Sequence, residues 1–412
     1  MREMKDSGVE WIGEIPRDWD IKRIKAVLCE RNETNNPVKT NFILSLTNDR
    51  GVIPYTEKGD VGNKSKDDLT GYKLAYEGDI VLNSMNVIIG SVALSSYYGC
   101  VSPVYYMLYT RNQQDSIKYY NYLFQTKELQ NRLKGYGNGI MEIRMRIQMS
   151  KLNTVEFPIA PSDIQHRIAD YLDRKCSKID EIIEKEGQVI EKLKAYKLSK
   201  INEIVADTSG ILCHLGYIST MKNGLNFNMV SSGNKIKFLG VGDFKDYFVL
   251  NNEDMFSDII VDEEIGEDYL LKSGDIVFVR SNGSKDLVGR AIMVENVDFP
   301  LTYSGFCIRF RNNRTDILDD NYLLYFFRSP YFRKQLEKYS QGSNISNINQ
   351  VLLSQIAIYI PSMEHQTASV ERLNRLTSLI DNAIEKKQST IEKLTAYKKS
   401  LIYEVVTGKK EV

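Results

Sequence analysis

The sequence predicts an α+β fold in which two globular domains of mixed strands and helices alternate with two long, repeated helices. A decapeptide occurs twice, as IEKLKAYKLS at residues 190–199 and as IEKLTAYKKS at residues 391–400. About half of the positions from 165 to 205 are identical to those from 366 to 406, which indicates a duplicated structural unit. The length of 412 residues exceeds one ordinary core and suits two domains.

The composition indicates which broad class of protein this chain belongs to. With 42% hydrophobic and 26% charged residues the chain is typical of a globular protein. The charged N-terminus lacks the apolar segment of a signal peptide, and no stretch approaches the roughly 18 apolar residues of a membrane span, so we expect a cytoplasmic protein. Lys plus Arg equals Asp plus Glu at 54 each, so any contact with DNA must come from local patches.

The two globular segments show the same order of elements. Each has a Gly-Asp turn followed by strand, loop and strand, then another strand, then a helical stretch that runs into a Gly-rich loop, and finally a closing strand. These stretches are 76–96, 100–109, 119–139 and 152–161 in the first segment, and 272–294, 302–311, 321–344 and 352–361 in the second. The sequence thus predicts two related domains of similar topology.

Each globular segment leads into a predicted helix of about 40 residues, or roughly 60 Å at 1.5 Å per residue. A Pro-Ser pair precedes each helix, at residues 161–162 and 361–362, and Gly408 is a plausible stop for the second. The apolar positions that the repeats share keep one face of each helix apolar, as in a coiled coil. We expect the two helices to pair antiparallel; the alternative is that each packs on its own domain.

The residues predicted for helix pairing lie on this repeated face. They are Leu172, Ile179, Ile183, Ile190, Leu193 and Tyr196 in the first helix, and Leu373, Ile380, Ile384, Ile391, Leu394 and Tyr397 in the second. The predicted boundaries are 1–160 for the first globular domain, 161–206 for the first helix, 207–360 for the second globular domain, 361–407 for the second helix and 408–412 for a tail.

The stretch FLGVG, residues 238–242, matches the FxGxG pattern of an S-adenosylmethionine loop, but it lies among short strand signals. Such a loop should open a doubly wound domain, so we predict a strand here. The chain has no Asn/Asp-Pro-Pro-aromatic motif, phosphate-binding loop, HExxH or GxSxG motif. The five cysteines form no CxxC pair and the three histidines no paired motif, so we predict no catalytic residue and no metal site.

Polar loops in both globular segments carry groups suited to reading DNA. Asn and Gln can pair with adenine, Arg with guanine, and Ser or backbone amides with phosphate. The alternative is that these loops are ordinary surface turns. The predicted DNA-binding residues are Asn83, Ser84, Asn86, Tyr136, Asn138, Arg144 and Arg146 in the first segment, and Arg280, Ser281, Asn282, Ser284, Lys285, Arg290, Tyr303, Gln341, Ser343 and Asn344 in the second.

Two divergent globular segments, each followed by a long helix carrying IEKLxAYKxS, resemble the specificity subunit of type I restriction-modification systems across essentially the whole chain. The opening SGVEWIGEIPRDWDIKRIK at residues 7–25 is similar to that family's lead-in to its first target-recognition domain. The tetrapeptide GDIV, which begins at Gly78 and again at Gly274, resembles the family's recurring strand entry.

The resemblance implies a DNA-reading subunit without its own catalytic centre or cofactor. Its two target-recognition domains would each read half of a split double-stranded DNA target, and the paired helices would set the unread spacer. Two modification subunits would dock on the helices through the pairing residues given above and would supply S-adenosylmethionine-dependent adenine N6 methylation. Restriction subunits would use ATP and Mg. Two other interpretations remain open: a stand-alone DNA methyltransferase that uses residues 238–242, and a coiled-coil scaffold that binds protein partners.

Overall fold

The computed structural model describes residues 2–59, 65, 67–136, 146–227, 233–244, 248–262, 264–284, 286–339 and 346–412. The chain forms two compact units. The first unit consists of Met1–Gly187 and Ser389–Val412, and the second unit is Gln188–Gln388. Each unit therefore contains one globular segment together with part of both long helices. The domain boundaries given above stay a prediction.

The secondary structure alternates short strands and short helices around the two long helices. The strands of the first unit are β1 Met4–Asp6, β2 Glu14–Pro16, β3 Asp20–Arg23, β4 Leu28–Arg31, β5 Leu44–Thr47, β6 Gly51–Pro54, β7 Lys73–Ala75, β8 Ile80–Asn83, β9 Val92–Leu94, β10 Gly99–Val101, β11 Tyr105–Thr110 and β12 Glu156–Ile159. The α-helices as far as the first long one are α1 Ile24–Val27, α2 Ile117–Phe124, α3 Lys127–Lys134, α4 Met149–Leu152 and α5 Ser162–Val205.

The second unit repeats this alternation. Its strands are β13 Ile211–His214, β14 Ser219–Asn223, β15 Asn234–Leu239, β16 Val249–Leu250, β17 Ser257–Val261, β18 Ile276–Val279, β19 Ala291–Val294, β20 Leu301–Tyr303, β21 Cys307–Asn312 and β22 Ala357–Ile360. The remaining α-helices are α6 Leu215–Ile218, α7 Asp320–Phe327, α8 Pro330–Tyr339, α9 Gln350–Ser354 and α10 Met363–Val406. None of the described helices is long and apolar enough to span a membrane.

The sheets of the two units are built alike. In the first unit the order is β4-β11-β8-β9, and in the second unit it is β14-β21-β18-β19-β16. The closing strands have equivalent partners. β12 pairs antiparallel with β3 in the first unit, and β22 pairs antiparallel with β13 in the second unit. Strands β8 and β18 are largely buried and hold equivalent inner positions in their sheets. The residues that follow them therefore leave the two sheets at equivalent positions.

The long helices begin in the same way because the repeat preserves a buried glutamine. Nε2 of Gln165 donates to the carbonyl of Ala160 at 2.9 Å, and Nε2 of Gln366 donates to that of Pro361 at 2.8 Å. The Oε1 atoms accept hydrogen bonds from the backbone N–H of Ser116 and of Asp319. Each glutamine thereby ties the first turn of its helix to the globular segment before it, and both helices are 44 residues long.

In the first unit, α5 and α10 pack antiparallel. Nζ of Lys398 donates to the Asp180 carboxylate at 2.6 and 2.7 Å, and Nη2 of Arg167 donates to the Val412 carbonyl at 2.5 Å. Residues later in α5 therefore face residues earlier in α10. Apolar side chains of both helices, such as Leu172 and Ile402, lie in one core.

The second unit has the reciprocal pairing. Nζ of Lys197 donates to the Asp381 carboxylate at 2.7 and 2.8 Å, and His365 lies 3.8 Å from Asp207. Lys197 and Asp381 are the repeat equivalents of the pair formed in the first unit. Both aspartates are more than half exposed, so these pairs contribute little stability but do fix the register of the helices. The predicted α+β fold with two long paired helices is confirmed.

The predicted pairing residues fall into three groups by exposure. Leu172, Ile179, Ile190, Leu373 and Ile380 are buried. Ile183, Leu193, Ile384, Ile391 and Leu394 are half-buried. Tyr196 and Tyr397, at equivalent repeat positions, are 48% and 49% exposed. The tyrosines therefore lie outside the buried stripe, and a docking role for any of the twelve residues stays a prediction.

Both Gly-Asp turns hold a buried carboxylate at the start of a central strand. Gly78 and Gly274 have φ values of 85° and 91°, which favour glycine. The Asp79 carboxylate accepts from Nε and Nη2 of Arg31 at 2.8 and 3.2 Å. Asp275 accepts from the same two atoms of Arg311 at 2.7 and 2.6 Å. These hydrogen bonds raise the pKa of both guanidinium groups, so each turn is closed by a permanent charge pair.

Gly408 ends α10 in a crowded place, which gives a prediction for the stability of the first unit. Its φ is +73°, and an added Cβ would lie 2.4 Å from Cδ of Pro16. Gly8 is the matched control, since its φ is +70° and its Cβ would meet nothing within 4 Å. We expect Gly8→Ala to lose about 1 kcal/mol of unfolding free energy from backbone strain alone. Gly408→Ala should lose at least about 2 kcal/mol, because the clash adds to the same strain. Equal losses in denaturant unfolding would contradict this account.

Candidate nucleic-acid interface

In the first unit three segments that are distant in sequence meet where β8 ends. The backbone N–H and the hydroxyl of Ser84 both donate to the Val104 carbonyl, at 3.4 and 2.7 Å. The carbonyl of Ser84 accepts from the N–H of Ile147 at 2.9 Å. We call this meeting of residues 83–86, 102–104 and 146–147 the first junction. It joins two of the loops predicted from side-chain chemistry.

The second unit has the same arrangement where β18 ends. The N–H of Arg280 donates to the Phe306 carbonyl at 2.7 Å, and the Arg280 carbonyl accepts from Ile348 N–H at 2.9 Å. Ser281 and Asn347 form an antiparallel bridge. The second junction therefore consists of residues 280–284, 304–306 and 346–348. Its two backbone hydrogen bonds through Arg280 repeat those made by Ser84 in the first junction, with different side chains.

The first junction forms one wall of a cleft of about 690 Å³. Asn83, Asn86, Ser102 and Val104 line this wall, and the hairpin of β5 and β6 lines the cleft with residues 44–50. Asn83 and Asn86 are half-buried, and Arg146 is exposed beside them. The concave shape and the amide groups suit an elongated polar ligand that enters from outside.

Sequence reasoning missed the hairpin, although a signal was present. The residues Asn-Asp-Arg-Gly at 48–51 separate two apolar runs, which is typical of a hairpin turn. Arg50 in this turn keeps about half of its side chain exposed and donates from Nη2 to the Glu57 carbonyl at 2.9 Å. The hairpin thus brings the Arg50 guanidinium to the cleft, where its Nε lies 3.9 Å from the carboxylate of Asp49, which also lines the cleft.

The second junction presents a denser set of hydrogen-bonding groups. Arg280 is half-buried, and its Nη1 lies 3.4 Å from the Gly305 carbonyl. Oδ1 of Asn282, a half-buried residue, accepts from the N–H of Ser284 at 2.7 Å. Arg290 is half-buried and donates from Nη1 to the Phe244 carbonyl at 3.2 Å.

Two predicted residues lie in the interior. Ser84 and Tyr303 are both 0% exposed. The Ser84 hydroxyl binds the Val104 carbonyl, and the Tyr303 hydroxyl donates to the Lys222 carbonyl at 3.2 Å. Burial raises the pKa of Tyr303 to about 12, which keeps this donor neutral. Both side chains shape the junctions from inside, and a direct contact of either with DNA stays a prediction.

The remaining predicted residues divide between the surface and the undescribed part of the chain. Tyr136 is half-buried against the core of the first unit, with the Arg132 guanidinium 5.4 Å from its ring centroid. Asn138, Arg144, Lys285, Gln341, Ser343 and Asn344 lie outside the described residues.

In the FLGVG stretch, Phe238 and Leu239 end strand β15, as expected, whereas the three residues that follow lead into a single tight turn. β15 ends at Leu239 and lies between β17 and β20. Residues Val241–Asp243 make one 3-10 turn, and the Gly240 N–H donates to Oδ2 of Asp243 at 2.7 Å. A nucleotide loop instead leads into a long helix whose free N–H groups bind the ligand. Within the described part of the chain, no three His, Cys, Asp or Glu residues are grouped to hold a metal ion.

The comparisons with known proteins agree on one family. The model for the type I restriction modification DNA specificity domain matches twice, at residues 16–192 and 215–393. The type I restriction enzyme MjaVIII specificity subunit of Methanocaldococcus jannaschii is 26% identical, over 96% of this chain and 93% of the relative. The StySPI specificity subunit of Salmonella potsdam is 25% identical, over 64% of this chain and 59% of the relative.

Two solved structures share the fold. A chain from a type I R-M system, described for its complex assembly and conformational transition, has a TM-score of 0.75 at 13% identity and covers 96% of this chain and 99% of its own. The HsdS subunit of Thermoanaerobacter tengcongensis has a TM-score of 0.52 at 14% identity, with 96% and 98% coverage. Because each family match spans one globular segment and most of the helix that follows it, the duplication seen in the sequence is that of the family's domain. This chain belongs to the family of type I restriction-modification DNA specificity subunits.

Proposed function

We propose that this chain is the non-catalytic DNA-recognition subunit of a restriction endonuclease and adenine-N6 methyltransferase complex. Each unit reads one half of a bipartite double-stranded DNA target with its junction. The observation that supports this most is that one backbone arrangement carries different side chains in the two units. Ser84 and Val104 in the first junction correspond to Arg280 and Phe306 in the second. A duplicated scaffold with divergent side chains is what two different half-sites require.

The partly accessible polar groups at each junction fit the chemistry of base reading. Asn83, Asn86 and Asn282 offer amides that can pair with adenine, and Arg280 offers a fork that can pair with guanine. Arg146, Ser284 and the hairpin residue Arg50 are suited to phosphates, which fix position without reading sequence. Such local groups allow DNA binding by a chain whose formal net charge is +0.

The paired helices set the spacer between the half-sites and dock two modification subunits. Their buried stripe is used in pairing, yet each helix also keeps apolar side chains in contact with water. These are Ile182, Val189, Tyr196 and Leu198 on α5, and Met363, Leu379 and Tyr397 on α10. We assign the docking of the modification subunits to residues of this set. Tyr196 and Tyr397 occupy equivalent positions of the repeat, so two copies of one partner find the same anchor.

The complex contains restriction subunits as well, and cofactors belong to the partners. S-adenosylmethionine is held by the modification subunits, and ATP and Mg by the restriction subunits. The assembly works in the cytoplasm, where its DNA substrate lies.

The test is methylome sequencing of a host with and without the gene for this chain. We expect adenine methylation at one bipartite sequence to disappear with the gene, and an unchanged methylation pattern would contradict the proposal. Titration of the isolated chain with S-adenosylmethionine addresses the methyltransferase alternative. We expect no binding, because the Gly240 N–H already donates to Asp243.

The repeated tyrosines give a prediction for subunit docking. Tyr196→Ala and Tyr397→Ala should each weaken one of two modification-subunit sites by about 30-fold, as truncation of a buried aromatic anchor does. The double variant should purify without modification subunits while its melting temperature stays unchanged, since both rings are about half exposed. Ile211→Ala is the control, because this residue is exposed but lies on β13. The mass of the purified complex is the measurement. If the double variant still binds two modification subunits, docking does not depend on these tyrosines.

A further inference from the structure

We propose that Phe306 is a specificity-determining residue whose ring contacts the 5-methyl group of a thymine in the half-site read by the second unit. Phe306 lies in the turn between β20 and β21 and is 57% exposed, whereas Tyr303 and Cys307, which flank the turn, are 0% exposed. This inference rests on the proposed function and adds a named base contact to it. No sequence pattern pointed to this residue.

The turn that carries Phe306 is braced on one side by residues 224–226. The N–H of Leu225 donates to the Tyr303 carbonyl at 3.1 Å, and the N–H of Gly305 donates to the Leu225 carbonyl at 2.7 Å. The packing is close, since a Cβ on Gly305 would lie 2.3 Å from Oδ1 of Asn226. The turn therefore has no room to shift toward this segment.

The second junction braces the turn from its other side. The Phe306 carbonyl accepts from Arg280 N–H at 2.7 Å, and the Phe306 N–H donates to the hydroxyl of Ser304 at 3.2 Å. With both backbone groups of Phe306 engaged, the ring is presented from a fixed point. A side chain held in this way loses little conformational freedom on binding, which favours its use as a contact residue.

The other side chains of the second junction indicate which part of the DNA the Phe306 ring contacts. Arg280 and Asn282, in the same junction, are hydrogen-bonding groups that read base edges in the major groove. Among the features that bases expose there, the methyl group of thymine is the apolar one, and Phe is among the side chains that contact it. An exposed ring in the same junction as an Arg and an Asn therefore matches a run of base pairs that includes an A·T pair.

The equivalent position in the first unit supports this assignment, because it has the same backbone contact and a different side chain. The residue there, Val104, makes the same backbone hydrogen bond but carries a small, half-buried side chain in the wall of the cleft. If the aromatic ring were needed to stabilise the turn, the first junction would need one too. The ring is therefore a difference in surface chemistry on a common scaffold, which is where half-site specificity is encoded.

The first experiment compares the methylated sequences directed by the wild-type chain, Phe306→Ala and Tyr217→Ala, each expressed with its modification subunits. Tyr217 is the matched control, an aromatic residue of the same unit that is 82% exposed on α6. We expect Phe306→Ala to relax one A·T position in one half-site and to leave the other half-site unchanged. Tyr217→Ala should keep the wild-type target. An unchanged target for Phe306→Ala would overturn the inference.

The second experiment measures the methyl contact itself. The complex with modification subunits is titrated with duplexes of the wild-type target in which uracil replaces one thymine at a time. We expect one replacement to weaken wild-type binding about fourfold, the effect of one buried methyl group. Phe306→Ala should not distinguish that duplex from the unmodified one. Wild-type indifference to every replacement would overturn the inference, whereas a wild-type chain that directs no methylation would mean that the proposed function itself is wrong.

Discussion

Asp275→Ala will lower the free energy of unfolding of the second unit by about 3 kcal/mol, the cost of breaking a largely buried ion pair. The Asp275 side chain is 2% exposed, and Arg311 beside it keeps 27% exposure. Besides the two hydrogen bonds from Arg311, the carboxylate accepts from the backbone N–H of Lys272 at 2.8 Å. Removing it leaves the Lys272 amide without an acceptor and the Arg311 guanidinium with only the Leu270 carbonyl, 3.3 Å from its Nη2, as a hydrogen-bond partner in a largely buried site.

Asp316→Ala is the matched control for this prediction. Asp316 also accepts two hydrogen bonds from one arginine, Arg314, each at 2.9 Å, but its side chain is 62% exposed. An exposed pair of this kind contributes about 0.2–1 kcal/mol. The two variants share residue type, a two-bond pairing with one arginine and similar distances, and they differ in burial and in the Lys272 N–H that only Asp275 accepts. Equal losses for the two variants would refute the role given to the Gly-Asp turn.

Hydrogen exchange is the suitable measurement because the two units need not unfold together. Asp275→Ala should reduce the protection of amides in β18 and leave those in β8 unchanged. Because β18 ends at the second junction, the same variant should impair reading of one half-site only. Asp79→Ala should have the converse effect on β8 through its pair with Arg31.

Much of the fold could be predicted because its strongest signals are local. The apolar positions shared by α5 and α10 repeat at helical spacing over 44 residues, and such a pattern is hard to satisfy except by a helix. The Gly-Asp turns could also be located, since glycine supplies the positive φ that the turn needs. Their charge partners could not, because Arg31 lies on β4 and Arg311 on β21, and only the folded sheets bring them to the turns.

The candidate site shows the limit of reasoning from residue type. Asn83 and Arg280 were selected for their side-chain chemistry, and the structure places both at junctions. Ser84 and Tyr303 were selected in the same way, but neighbouring segments cover them completely. Phe306 was missed because an aromatic residue beside a strand usually belongs to the core. Exposure depends on tertiary packing, which a single sequence does not display.

Inserting seven residues into each long helix will lengthen the unread spacer and leave both half-sites unchanged. The insertions belong between Gly187 and Gln188 in α5 and between Gln388 and Ser389 in α10, where the two units meet along the sequence. Seven residues are close to two helical turns, so the apolar stripe keeps its face. The pair of Lys398 with Asp180 and that of Lys197 with Asp381 each lie within one unit and stay matched.

The added length is about 10.5 Å, which corresponds to at most about three base pairs of rise. Methylome sequencing should therefore find the same two half-sites with a spacer longer by up to that number. The same seven residues placed in α5 alone are the control, because they put the two helices out of register and should abolish methylation. A changed half-site in the double insertion would mean that the helices take part in reading bases. An unchanged spacer would mean that the modification subunits, rather than this chain, set the distance between the half-sites. The experiment therefore shows which subunit determines the spacer length.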